Sequence, residues 1–144
     1  MSPCGTVLVV GATGLVGSHL AAELSGAGQR VLGTSTDGAG SDLACDLLRP
    51  ETIETAIRQA RPDTIVITAG QSSARRAWSD PTATFGLNTG GTASLLEAAR
   101  RRAPEAHLVL ASSGAAYGHA GNRAPDRGRG AVVVLPTLAH GHDA

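Results

Sequence analysis

The segment that most constrains the fold of this chain joins a buried strand to a helix through a glycine-rich turn, between Thr6 and Leu24. The run TVLVV is continuous, apolar and largely β-branched, which is typical of a strand covered on both faces in a parallel sheet. The side chains that follow at helical spacing, up to Gly26 and Gly28, are Leu15, Val16, His19, Leu20 and Leu24. Strand, tight turn and helix in this order predict the first unit of a doubly wound α/β sheet.

The turn also predicts a dinucleotide site. Gly11, Gly14 and Gly17 have a GxxGxxG spacing, and glycines at such a turn let backbone N–H groups approach a pyrophosphate beside the positive end of a helix. The alternative is that these glycines only let helix and strand pack closely. The predicted cofactor contacts in the turn are Gly11, Thr13, Gly14, Leu15, Val16 and Gly17.

Strands and helices alternate along the rest of the chain as far as residue 113. Apolar runs predict three further strands at residues 30–35, 63–70 and 107–113. A helix beginning at Pro50 is predicted to bury one face, formed by Ile53, Ala56, Ile57 and Ala60. A second helix is predicted from a cap at Ser79 or Asp80 through to Arg102. Its glycines, Gly86, Gly90 and Gly91, are expected to pack closely against the sheet.

This alternation predicts an incomplete Rossmann fold with right-handed crossovers and the strand order 3-2-1-4. A fifth strand is an open alternative for residues 131–136, AVVVLP. We therefore expect a dinucleotide-binding domain over residues 1–118 and an irregular tail over residues 119–144.

Composition excludes several classes of partner. Twelve acidic and twelve basic residues give no net charge, so no overall field recruits nucleic acid or an anionic membrane. Arg100, Arg101 and Arg102 fit a solvated helix C-terminus better than a basic patch. Cys4 and Cys45 have no disulfide or metal spacing, and His140 with His142 lacks a third ligand, so no metal is expected. The apolar runs are short and no leader pattern is present, which predicts a cytoplasmic protein.

The choice between NAD and NADP depends on the end of the second strand, where a carboxylate would bind the ribose 2′-hydroxyl of NAD. That position falls at Thr34 to Thr36, with Ser35 the closest match and Asp37 slightly late. No carboxylate repels a 2′-phosphate there, but no arginine follows to bind one. The sequence therefore admits either NAD or NADP as the cofactor and slightly favours NADP.

Beyond the glycine turn, three further stretches carry a family resemblance: CDLLRPETIETAIRQARPDTIVITAGQSS, DPTATFGLNTGGTASLLEAAR and VLASSGAAYG. Over about residues 5–118 the chain resembles the extended short-chain dehydrogenase/reductase family of nucleotide-sugar epimerases and dehydratases. AGQSS followed by WSDPTATFGLN is most similar to the GDP-mannose dehydratases and GDP-4-keto-6-deoxymannose reductases.

The resemblance assigns roles to single positions. It implies that Asp46 binds the adenine amino group with Leu47 beside the ring, and that Ala69, Gly70 and Gln71 pass under the nicotinamide ribose. Asn88 would be mainly structural. Ser113 would bind the substrate's keto or hydroxyl oxygen as a catalytic residue, and a nucleotide sugar would be the substrate.

The family's proton-transfer pair, Tyr-x-x-x-Lys, cannot form in these 144 residues, because the chain contains no lysine and its one tyrosine, Tyr117, is followed four residues later by Gly121. Three explanations remain: a product cut short or frame-shifted after about Tyr117, a degenerate relative, or a non-catalytic dinucleotide-binding module. The loss of periodicity after Tyr117 favours the first. An incomplete sheet would also expose apolar surface, which predicts self-association.

Overall fold

The computed structural model describes residues 5–113 and 133–134, and within these ranges one sheet carries helices on both faces. The strands are β1 (Thr6–Val10), β2 (Arg30–Ser35), β3 (Leu43–Ala44), β4 (Thr64–Ile67), β5 (His107–Leu110) and β6 (Val133–Val134). The helices are α1 (Leu15–Gly26), α2 (Pro50–Ala60), α3 (Ala74–Ser79), α4 (Pro81–Phe85) and α5 (Thr92–Arg102), with a π-helical segment at Gly86–Gly91 between α4 and α5.

The strand order is β3-β2-β1-β4-β5-β6, parallel from β3 to β5 and antiparallel between β5 and β6. The predicted fold class and the order 3-2-1-4 are confirmed, with one correction to the segments. The strand that lies beyond β2 is β3, whose two residues are too few to show any periodicity. Residues 63–70, expected as the third strand, contain the shorter β4, which pairs directly with β1. The alternative strand at residues 131–136 is present as β6.

The core lies on the face of the sheet covered by α2 and α5. Leu8 and Val10 of β1 belong to it, whereas Val7 and Val9 alternate with them and face α1 on the other side. The buried cluster consists of Leu8, Val10, Cys45, Leu47, Ile53, Ala56, Ile57, Ala60, Ile65, Ile67, Leu95, Ala98, Ala99 and Ala106. All four residues predicted as the inner face of α2 are among them.

Helix α1 does not bury the apolar stripe that its sequence spacing indicates. Gly17 is its only buried residue, whereas the side chain of Leu15 is 80% exposed and that of Val16 is 62% exposed. A Cβ on Gly17 would lie 2.2 Å from the Gly11 carbonyl oxygen. The helix therefore turns its smallest residue to the sheet, and its first apolar side chains stay at the surface beside the glycine turn.

The long helix predicted from residue 79 or 80 to residue 102 is interrupted. Asp80 caps α4 by accepting a hydrogen bond from the Ala83 N–H at 2.9 Å, and Pro81 occupies the first turn as expected. The chain then widens into the π-helical segment before α5 begins. Helix α3 was not predicted, because its six residues lack an apolar face.

The three glycines expected to pack closely against the sheet do not do so: one packs against a loop and the other two have open space where a Cβ would lie. A Cβ on Gly91 would lie 2.7 Å from the Leu47 Cβ, which follows β3, while Cβ atoms on Gly86 and Gly90 would meet nothing within 4 Å. Gly91 therefore fits the loop that leads into α2, and the other two glycines are not required by packing.

The arginine run ends α5, as predicted, and also joins it to α2. Arg101 and Arg102 each pair with Glu54 of α2 at 2.8 Å, and Arg100 pairs with Glu97 at 2.8 Å. Residues 119–132 and 135–144, including both histidines of the tail, lie outside the described residues, as do Cys4 and Tyr117.

Candidate functional site

The carboxyl ends of β1 to β5 meet at one edge of the sheet, where open α/β sheets bind their ligands. The glycine turn lies at the centre of this edge. Gly11 has φ +91°, a left-handed conformation that favours glycine, and a Cβ there would lie 2.8 Å from the Ala69 backbone after β4. Two of the three glycines in the motif are thus required by geometry: Gly11 for the turn and Gly17 for the approach of α1.

Hydrogen bonds from two neighbouring strands hold the turn in place. The Ala12 N–H donates to the Thr34 carbonyl of β2 at 2.8 Å. On the other side, the Thr68 hydroxyl donates to the Val10 carbonyl at 2.9 Å. Gly33 of β2 leaves room for the Ala12 side chain, since a Cβ on Gly33 would lie 2.7 Å from the Ala12 Cβ. The turn is therefore preorganised before any ligand arrives.

The first turn of α1 presents backbone donors to this edge. Its N-cap is Gly14, so no side chain caps the helix, and the first turn contains no acidic residue. The N–H groups of Leu15 and Val16 have no carbonyl partner within the helix, because the first residues of any α-helix lack one. These donors and the helix dipole favour an anion, and a carboxylate that would compete with it is absent from this turn.

The end of β2 carries a small hydroxyl and carboxylate cluster. The Ser41 hydroxyl donates to the Ser35 hydroxyl oxygen at 3.0 Å, and the Ser35 hydroxyl lies 3.4 Å from Asp37 Oδ1. Asp37 Oδ1 also accepts the Ala39 N–H at 2.9 Å. This backbone hydrogen bond is the main reason that the pKa of Asp37 lies below its usual value, so the carboxylate is ionised at neutral pH. Ser35 is therefore largely occupied within its own loop.

Asp46 follows β3 at the same edge and is half-buried. Its Oδ1 accepts the Leu48 N–H at 2.9 Å, and its backbone N–H donates to the Thr52 hydroxyl oxygen at 2.9 Å. Leu47 beside it is only 4% exposed and packs into the core. The contact between the Leu47 side chain and an adenine ring stays a prediction, with little of that side chain accessible.

The end of β4 is held by Asn88 of the π-helical segment. The Gln71 N–H donates to Asn88 Oδ1 at 2.7 Å, and Asn88 Nδ2 donates back to the Gln71 carbonyl at 2.9 Å. The Gln71 side chain donates to the Ser73 carbonyl at 3.0 Å and to the Thr84 hydroxyl oxygen at 3.2 Å. Residues 69–71 therefore have a fixed course across the edge, and the Gln71 amide is already bound within the protein.

Ser113 is exposed and lies three residues beyond β5 at the same edge. The predicted strand at 107–113 is thus shorter, ending at Leu110, and the two serines lie in the connection that follows it. The residue that the family resemblance would pair with Ser113 has no counterpart in the chain, and Tyr117 lies outside the described part.

The predicted residues thus converge on one edge: the glycine turn after β1, Ser35 at the end of β2, Asp46 after β3, residues 69–71 after β4 and Ser113 after β5. Sequence reasoning missed the supporting hydroxyls of Thr52 and Thr68, since a threonine looks the same in sequence whether it bonds locally or across the sheet. Among the described residues, no group of acidic, histidine and cysteine side chains could hold a metal ion. None of the helices in that part of the chain is long and apolar enough to cross a membrane.

Comparisons with known proteins agree with this geometry. The sequence profile described as the NAD dependent epimerase/dehydratase family matches residues 7–132. A GDP-6-deoxy-D-mannose reductase of Pseudomonas aeruginosa is 32% identical over 114 residues, which cover 78% of this chain and 35% of that protein. The chain therefore spans about a third of the length of this curated relative.

Two solved structures share the fold and were determined with NAD. The UDP-glucose 4-epimerase of Thermus thermophilus is 31% identical, with a TM-score of 0.62, over 67% of this chain and 34% of that one. The UDP-glucose 4-epimerase of Brucella ovis is 28% identical, with a TM-score of 0.71, over 78% of this chain and 37% of that one.

Proposed function

This chain belongs to the NAD dependent epimerase/dehydratase family, and we propose that the edge built around Gly11, Gly14 and Gly17 binds the diphosphate of a nicotinamide dinucleotide. The observation that carries the proposal is the uncapped first turn of α1 behind a positive-φ glycine. The turn before these donors is held by the Ala12 N–H bond to the Thr34 carbonyl and by the Thr68 hydroxyl bond to the Val10 carbonyl, so binding requires little further ordering.

The remaining contacts follow from the same placement. Asp46 would accept a hydrogen bond from the adenine amino group, residues 69–71 would pass beneath the nicotinamide ribose, and Ser113 would bind the substrate oxygen as a catalytic residue. The relatives described above are a GDP-sugar reductase and two UDP-glucose epimerases, which supports a nucleotide sugar as the substrate class. A cytoplasmic location and a domain limit near residue 118 stay predictions of the sequence.

A slight preference for NADP is the finer part of the proposal. No carboxylate lies within residues 34–36, and the Asp37 carboxylate is turned onto its own loop through Ala39 and Ser35. A 2′-phosphate at the end of β2 would therefore meet less repulsion than beside a carboxylate directed at the ribose. Asp37→Asn should change the ratio of the two affinities by less than about threefold if this geometry persists on binding.

A second candidate function is a non-catalytic dinucleotide-binding module. The observation in its favour is the lack of lysine, which removes the family's Tyr-x-x-x-Lys pair from this chain and with it a proton-transfer contribution of about 10²–10⁴ in rate. Both candidates require cofactor binding. They differ in whether this chain alone oxidises or reduces a sugar at a measurable rate.

Calorimetric titration of the purified chain with NAD and with NADP tests the proposal. We expect binding of both, somewhat tighter for NADP, and a loss of about tenfold or more in Gly14→Ala, whose methyl group would occupy the phosphate approach. Gly26→Ala is the matched control, because a Cβ at the end of α1 meets nothing within 4 Å. A folded wild-type protein that binds neither nucleotide at millimolar concentration would overturn the proposal. A clear preference for NAD would overturn only the proposed slight preference for NADP.

A further inference from the structure

A threonine outside the predicted cofactor residues fixes the backbone of Asp46. Thr52 lies in the first turn of α2, and its hydroxyl oxygen accepts the Asp46 N–H at 2.9 Å. The same hydroxyl donates toward two carbonyl oxygens, that of Arg49 at 2.8 Å and that of Asp46 at 3.1 Å. The Thr52 hydroxyl thus binds backbone groups at both ends of the loop from Asp46 to Arg49.

One oxygen of the Asp46 carboxylate is hydrogen-bonded within the described chain, and the other is not. Oδ1 accepts the Leu48 N–H, whereas Oδ2 has no hydrogen-bond partner among residues 5–113. The carboxylate follows β3, so it stands at the edge where the glycine turn lies. A carboxylate oxygen in that place can accept a hydrogen bond from an N–H or O–H of a ligand.

We propose that Thr52 is a positioning residue that aims the open oxygen of Asp46 at the amino group of an adenine nucleotide. The inference rests on the proposed dinucleotide function and adds a residue to it. The Asp46 N–H needs an acceptor because the residue is half-buried. Without the Thr52 hydroxyl, the loop turns that N–H toward water, and the carboxylate turns with it.

The chain offers a closely matched control. Thr55, one turn further along α2, is also half-buried, and its hydroxyl donates to the Glu51 carbonyl at 2.8 Å. That bond lies within the helix and does not reach the Asp46 loop. Thr52→Val and Thr55→Val therefore remove the same atoms from the same helix, and only the first removes the acceptor of Asp46.

The test compares NAD with nicotinamide hypoxanthine dinucleotide, in which an oxygen replaces the adenine amino group. By titration calorimetry, the wild-type chain should bind NAD about tenfold more tightly than this analogue, because the analogue places a carbonyl oxygen, which cannot donate, where the adenine amino group would meet Asp46. In Thr52→Val the ratio should fall to within about twofold of unity. Thr52→Ser keeps the hydroxyl and should keep the wild-type ratio, as should Thr55→Val.

The ratio separates positioning from general stability, since a less stable protein loses affinity for both nucleotides equally. If Thr52→Val does not fold, Thr52→Ala and the serine variant give the same comparison. A wild-type ratio in Thr52→Val or Thr52→Ala, or a lost ratio in Thr52→Ser, overturns the inference alone. Equal binding of both nucleotides by the wild type would contradict the Asp46 contact and, with it, the role of Thr52. Absence of any binding would overturn the proposed function as well.

Discussion

At the residue scale, the three glycines of the motif have different physical roles although the sequence pattern treats them alike. Gly11 needs its positive φ, and Gly17 needs the absence of a Cβ, which would collide with the Gly11 carbonyl and the Thr68 hydroxyl. Gly14 has φ −75° and its nearest obstacle is the Gly11 oxygen at 3.3 Å. Folding therefore constrains Gly17 strongly and Gly14 only weakly, and the need for glycine at position 14 is part of the proposed phosphate site.

We expect Gly17→Ala to lower the free energy of unfolding by about 3 kcal/mol, the upper end for overpacking, because the collision involves backbone that cannot move aside. Gly14→Ala should change it by less than about 1 kcal/mol, since its contact is only slightly short. Urea denaturation followed by circular dichroism measures both values, with Gly26→Ala as the unhindered control. Equal losses in the two variants would contradict the separation of roles.

The sequence could predict these glycines because a turn of this kind depends on a spacing that is visible in one dimension. It could not predict Thr52 and Thr68. The hydroxyl of Thr55 serves only its own helix, whereas that of Thr52 serves a loop and that of Thr68 serves another strand. Which partner a threonine finds depends on how the elements pack, and no periodicity records that.

At the element scale, the joint between α2 and α5 combines the buried core with a cluster of charges. Glu54 accepts hydrogen bonds from Arg101 and Arg102, which end α5. The pKa of Glu54 lies below its usual value of 4.5, first because Arg102 donates to the carboxylate, and then because of the charges of Arg102, Arg101 and Arg58. The cluster therefore favours the ionised form of Glu54.

This joint should make stability depend on pH in the acid range. A carboxylate whose pKa is lower in the folded chain stabilises it fully above the unfolded pKa and loses this effect as the pH falls through the folded value. Glu54→Gln should therefore unfold at lower urea than the wild type at pH 7, and the two should converge as the pH falls below 4.5. Glu105→Gln, in an exposed loop, is the control. A difference that persists unchanged at pH 3 or in molar salt would contradict an electrostatic origin.

The boundaries of α2 were predictable, and those of the region before α5 were not. Pro50 and a clean apolar face mark α2 from end to end. Between residues 80 and 102, α4, the π-helical segment and α5 replace the expected single helix, and Asn88 of the π-helical segment binds the backbone of Gln71. The extra residue in a π-helical turn leaves no trace in an apolar pattern that is already interrupted by Gly86, Gly90 and Gly91.

At the scale of the whole molecule, alternation of strands and helices was enough to predict the class of fold and the edge of the sheet at which the candidate residues lie. It was not enough to place β3, because two residues after a glycine- and serine-rich loop have no pattern of their own. The strand after α2 was therefore expected at the wrong position in the sheet: it pairs with β1, whereas it had been expected beyond β2. Convergence of the predicted site residues survived this shift, because parallel strands end at the same edge in either order.

The described part of the chain leaves several large apolar side chains at its surface, and we expect them to drive self-association. Trp78 is 88% exposed and Phe85 is 68% exposed, on the neighbouring helices α3 and α4. Exposed apolar patches of this kind mark contact surfaces more often than single exposed apolar side chains do. Light scattering should therefore show an average mass that rises with concentration above the 14.4 kDa of one chain.

Replacing both aromatics, in Trp78→Gln with Phe85→Gln, should move this rise to a concentration about tenfold higher, because the variant buries less apolar area on association. Leu15→Gln is the informative control, because that residue is also exposed but lies at the start of α1 beside the glycine turn and not on α3 or α4. A constant mass of one chain across the accessible range would contradict the prediction. If Leu15→Gln suppresses association and the aromatic variant does not, the contact surface lies beside the glycine turn, and the proposed binding of NAD there should then compete with association.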